Sequence, residues 1–226
     1  MGAAKPYRQH YFEVGWHQEM SEKVFFEVNA YARRGDDGFE NGEISNTRLF
    51  VPINFARTHA KGIERTVGLR HLERLGLEAR LQYALARATS FGPITGGLLD
   101  EELQEGERIR PAFDQRHTGT AMIFYRRPWR NLRAGFILRY GSGTPKEEHV
   151  EVNGEEVLTF ERLPQHFTAD FSTGVALWQR EARRLDFEFN VTNLGNDIYQ
   201  IAKESETTPV QFSARRVVSG RLSWHF

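Results

Sequence analysis

Cysteine is absent from this 226-residue chain, which removes disulfide scaffolds, thiolate zinc sites and thiol catalysis together. Net charge is absent as well, since 30 Lys and Arg are matched by 30 Asp and Glu. No global basic field draws the chain to nucleic acid, which is not an expected partner. No stretch approaches the roughly 18 uninterrupted apolar residues of a transmembrane helix. The opening MGAAKPYRQHYFEVGW lacks the basic region, apolar stretch and cleavage site of a secretory leader. An exported chain needs such a leader, so the expectation is either a cytoplasmic protein or a piece of a longer one. Capped helical periodicity is equally hard to find.

What is present is alternation with period two. Nine long strands are predicted, at 10–20, 24–33, 62–72, 77–88, 117–127, 132–140, 166–178, 185–193 and 215–226. The connections at 21–23, 73–76, 128–131 and 180–184 are short, and those at 34–61, 89–116, 141–165 and 194–214 are long and polar. Short and long alternate without exception. A meander built this way has every tight turn at one end and every long loop at the other.

The strands have unlike faces. Leu185, Phe187, Phe189 and Val191 oppose Asp186, Glu188, Asn190 and Thr192; Val24, Phe26, Val28 and Ala30 oppose Glu27, Asn29 and Arg33. Phe136 and Leu138 oppose Arg133 and Arg139, while Phe167, Ala169, Phe171, Val175 and Leu177 oppose Asp170 and Ser172. A half-buried sheet between core and water produces this pattern, but strands of about ten residues exceed the five or six usual in soluble domains. A transmembrane β-strand needs about 9–11 tilted residues, apolar outside and polar inside, with short periplasmic turns and long external loops.

Arg65, Arg87, Arg126 and Arg216 fall in phase with the apolar faces and are expected at strand ends, where a long side chain reaches the headgroups. Trp16, Trp129, Trp178 and Trp224 fall where an aromatic girdle is expected. The predicted fold class is all-β: an antiparallel up-and-down meander of about nine long strands, part of a transmembrane β-barrel. The alternative is a soluble periplasmic β-sandwich or small β-barrel that binds a ligand or protein partner.

HYFEVGWHQEM resembles the Tyr-x-Glu-x-Gly strand that recurs in TonB-dependent outer-membrane receptors, and AKGIERTVGLR resembles their Gly-Ile/Val-Glu strand start. LQYALARATS and FDQRHTGTAMIFYRRP, followed by GFILRYGSGTP, are similar to the next strands of that family. Most specific is the close: FEFNVTNLGNDIYQ is similar to the family's Asn-Leu-Gly/Phe-Asp-x-x-Tyr segment, and TPVQFSARRVVSGRLSWHF to its terminal strand ending in Phe. The resemblance covers nearly the whole chain. It implies a barrel of roughly 22 strands closed by a plug, of which these are the last nine or so. The plug domain and the contact with TonB are then expected from a missing N-terminal part. It also implies location in the bacterial cell outer membrane, outer-membrane lipid as solvent, and Trp224 and Phe226 as the signal read by the barrel-insertion machinery.

Chemistry-bearing motifs are few. YGSGTP is followed by no Lys-Ser/Thr pair and no helix, so it is not a phosphate-binding loop. The eight histidines are scattered without metal-ligand spacing, and no nucleophile-base or paired-carboxylate arrangement is identifiable. No cofactor, no metal and no enzymatic activity are expected. The polar face offers Glu27, Arg33, Glu64, Arg70, Arg80, Arg139, Asp170, Glu188 and Arg221 as lumen-facing residues expected to pair across strands and meet a plug. Phe39, Phe50, Phe55 and Phe91 are the candidate ligand contacts from outer loops.

Overall fold

The computed structural model describes residues 3–43, 50–97, 105–152, 155–202 and 210–226. Fourteen strands occur among them: β1 (Arg8–Glu19), β2 (Val24–Glu43), β3 (Phe50–Leu72), β4 (Leu77–Gly97), β5 (Arg108–Ile109), β6 (His117–Arg127), β7 (Leu132–Gly141), β8 (Pro145–Val152), β9 (Glu155–Arg162), β10 (His166–Arg180), β11 (Arg183–Thr192), β12 (Gln200–Ala202), β13 (Gln211–Phe212) and β14 (Val217–His225). Nine of them form one antiparallel path in the order β1-β2-β3-β4-β6-β7-β10-β11-β14, with β5 attached to β4. Those nine are the strands expected from alternation, paired in chain order. β8 with β9, and β12 with β13, make separate hairpins within two of the long connections.

The long connections are less irregular than expected. β2, β3 and β4 run for 20, 23 and 21 residues, and β2 and β3 stay paired from Val24↔Leu69 to Glu43↔Phe50. Phe39, Phe50, Phe55 and Phe91 therefore stand on strand extensions and not in loops. Gly35, Gly38, Gly42 and Pro52 read locally as turn residues, yet cross-strand hydrogen bonding carries the ladder through them. Fully buried Asn54 stitches these extensions to the residues before β1. Its amide nitrogen donates to the carbonyls of Lys5 and Asp37 at 3.0 and 2.8 Å, and its oxygen accepts from Lys5 N–H at 2.7 Å.

Register settles which residues share a face. The odd residues of β2 and β7 and the even residues of β3, β4, β6, β10 and β11 fall on one side, and that side is the charged one. Arg126 pairs with Arg133, so it stands on the charged face, contrary to the apolar phase read for it. Arg65 and Arg87 do lie on the apolar face, opposite Val28 and Lys61. Neither is at a strand end, because β3 and β4 continue well beyond them.

The sheet has one layer. Buried hydrophobic residues among those described are only Phe25, Ile53, Phe55, Leu163, Ala176 and Val191. On the apolar face Val14 is 71% exposed, Phe12 65% and Leu222 66%. The accessible surface is 15335 Å², whereas a compact protein of this mass exposes about 10,500 Å². Nothing in the described residues covers the apolar face, so the second layer that a soluble sandwich requires is not there.

Candidate functional site

The charged face is built by cross-strand rows. One row runs Arg133–Gly174–Glu188–Arg221 across β7, β10, β11 and β14. Arg133 crosses the β10 backbone to pair with Glu188, and Arg221 approaches the other carboxylate oxygen at 4.0 Å. Gly174 makes the crossing possible: a Cβ there would lie 2.7 Å from Arg133 Nε. Further outward Arg139 donates to Asp170 at 2.5 Å, and the other Asp170 oxygen accepts from Asn193 N–H at 2.9 Å. Towards the tight turns Asp186, only 3% exposed, takes Arg184 at 2.9 Å and His225 at 3.3 Å.

At the tight-turn end of β1 to β3, Arg70 grips Glu19 with both terminal nitrogens, at 2.5 and 2.7 Å. His17 meets the same carboxylate at 2.8 Å. Phe25 lies beneath, 8% exposed, with Arg70 and Arg80 over its ring at 5.3 and 5.8 Å. Its ring occupies the space above Gly68, where a Cβ would fall 2.1 Å from it. At the other end of the sheet the Tyr199 ring stacks on the His166 imidazole at 3.7 Å.

The outer half of the charged face holds a concavity of about 380 Å³ lined by Tyr11, Glu13, Tyr31, Arg33, Glu64 and Asp114 among others. Tyr11 donates to Glu13 at 2.8 Å, and the Arg33 guanidinium lies 5.5 Å from the Tyr11 ring centre. Asp114 is anchored by Ala88 N–H and by Arg162, each at 2.7 Å. The lining offers phenol, carboxylate and guanidinium groups together, which suits contact with a polar surface or ligand.

All nine charged residues singled out from the sequence, Glu27 through Arg221, share this face by register. The four phenylalanines are not gathered beside them. Phe91 shares the opposite face with His59, ring centres 5.0 Å apart; Phe55 is buried, Phe39 is half exposed, and Phe50 contributes only its strand position. Alternation alone missed Tyr11, Tyr31, Phe25 and Asp114. For Phe25 and Tyr31 a signal existed: each faces a glycine across the β2–β3 ladder, Gly68 and Gly62.

On the apolar face the Trp178 and Trp224 rings stack at 5.3 Å, with Phe226 edge-on to Trp224 at 6.5 Å. Trp16 meets Phe26 at 5.9 Å. Trp129 sits in the tight turn beneath the Arg130 guanidinium. These rings form an aromatic margin at the tight-turn end.

No protein-family model and no curated protein matches the sequence. Solved structures do match. The FrpB iron transporter from Neisseria meningitidis is 16% identical with a TM-score of 0.66, over 99% of this chain and 32% of that one. The ferripyoverdine receptor of the outer membrane of Pseudomonas aeruginosa is 12% identical with a TM-score of 0.67, over 99% of this chain and 28% of its own. The outer membrane transporter YddB from Escherichia coli is 11% identical with a TM-score of 0.72, over 99% and 33%. At such identities the likeness establishes the fold: the sheet has the architecture of part of an outer-membrane transporter barrel. The chain spans about a third of the length of the structures it matches.

Proposed function

We propose that the chain is the C-terminal arc of a TonB-dependent receptor barrel in the bacterial outer membrane. The charged face lines the lumen and the apolar face meets lipid. The observation that carries this reading is the uncovered apolar face of a one-layer sheet whose other face is ion-paired. In water such a surface drives association; in a bilayer it is the solvent-matched side of the wall. β1 and β14 are the ends of the strand path, and hydrocarbon does not tolerate open sheet edges, so further strands of the receptor close the ring. The whole receptor imports a scarce ligand such as a siderophore, cobalamin or an oligosaccharide, with the plug and the TonB contact contributed from outside this arc. Within the arc the Tyr11–Arg33–Glu64 concavity is the surface offered to plug or ligand, and Trp224 with Phe226 is the element that the insertion machinery reads. This is transport and not catalysis.

Because the native chain has no cysteine, single cysteines report each face cleanly. In the whole receptor in lipid vesicles, cysteines at Leu81 and Phe136 should resist a water-soluble maleimide, while those at Gln82 and Arg139 react. Equal labelling of both pairs, or a monodisperse monomer in detergent-free buffer, would overturn the membrane reading.

A further inference from the structure

The apolar face changes character at its outer end, and the change falls within three adjacent cross-strand rows. The first runs Phe12–Ala32–Lys61–Arg87, the second His10–Arg34–His59–Thr89, and the third Arg8–Asp36–Arg57–Phe91–Arg108. Six permanent cations share this surface with one carboxylate, Asp36. All six are exposed, and none forms an ion pair among the described residues. On the charged face Arg70, Arg133, Arg139 and Arg184 are each held by a carboxylate, and Arg33 and Arg80 lie over aromatic rings. Immediately towards the tight turns the next row of the same face is apolar, with Val14, Ala30, Ile63 and Leu85 in phase, and Arg65 stands one row beyond it beside Val28 and Tyr83.

We propose that this patch holds the headgroup of a multiply phosphorylated lipid of the outer leaflet. The inference rests on the membrane reading above. Rows on one face are about 6.6 Å apart and strands about 4.8 Å apart, so the cations cover an area wider than one phosphate. A hollow of about 330 Å³ among Arg34, His59, Lys61, Arg87, Phe91 and Arg108 lies at the centre of the patch. Guanidinium and ammonium groups there meet the phosphates, and the acyl chains continue down the stripe of Val14, Ile63 and Leu85. That continuity selects a lipid over a free anion, because a soluble phosphate makes no use of the apolar stripe.

The test uses the whole receptor that carries this chain, in phosphatidylcholine vesicles containing a bisphosphorylated disaccharide lipid, its phosphate-free counterpart, or neither with inorganic phosphate in solution. Insertion is read by protease protection, and bound lipid by native mass spectrometry after extraction. The unaltered chain should retain the bisphosphorylated lipid only. The combined Arg34→Ala, Lys61→Ala and Arg87→Ala variant should insert but retain it more weakly by roughly fivefold for each cation removed. A control lacking Arg127, Arg130 and Arg183, exposed cations at the tight-turn end, should retain it fully. Equal retention by the outer-patch variant, equal loss in the control, retention of the phosphate-free lipid, or displacement by inorganic phosphate overturns this inference while leaving the membrane reading intact. Failure of every form to insert overturns both.

Discussion

Gly174 illustrates how one missing atom arranges a row of charge. Without its bare backbone, Arg133 could not reach Glu188 across the intervening strand. A glycine in a strand ordinarily reads as a weak point, and only the cross-strand register reveals it as a passage. Glu19 shows the same dependence on distant sequence. Its partner Arg70 is 51 residues away. Hydrogen exchange at the Met20 and Ser21 amides, which close the first turn on Val24 O, should accelerate in the Arg70→Gln chain; an unchanged rate would refute the assignment.

At the scale of the element, β10 carries an irregularity that alternation could not supply. Ala176 pairs with Asp186 but Trp178 pairs with Leu185, so Leu177 is an extra residue in a bulge. Strict alternation from Phe171 would turn Trp178 to the charged face. The bulge returns it to the apolar side, where it stacks on Trp224 of β14. Deleting Leu177 removes the extra residue and should leave Trp178 opposite Leu185, on the apolar side, in an unbroken ladder. The expected outcome is a retained Trp–Trp exciton couplet in far-ultraviolet circular dichroism, whereas Trp178→Ala should abolish it and cost about 1 kcal/mol in lipid beyond the lost burial; loss of the couplet in the Leu177 deletion would show that Leu177 is not the inserted residue. The outer extensions of β2 and β3 were illegible for a related reason. In 34–43 and 50–61 both faces are polar or mixed, so no period marks the strands, and their pairing comes from the partner ladder.

For the whole molecule, the decisive feature is that the described residues build a wall and not a globule. Phe136 lies halfway along β7 on the apolar face, paired with Ile123 and Phe171. Phe136→Arg should cost about 2–4 kcal/mol of folding stability in a bilayer, measured by urea titration in lipid vesicles, whereas Gln82→Lys on the charged face should be nearly neutral. Comparable losses for both would contradict a membrane-facing apolar side. By itself the sequence determined the nine strands of the main path, their order, the end that carries the tight turns and the charged residues that share a face. Each of these follows from local alternation and turn chemistry, which need no knowledge of distant partners. Only the tertiary structure decided which glycines are passages, where a bulge re-aims a tryptophan and how far the ladders extend. It also decided that cations from five strands, unpaired among the described residues, meet at the outer margin of the apolar face. Those features are made between strands far apart in the chain, and register, unlike period, is a property of pairs.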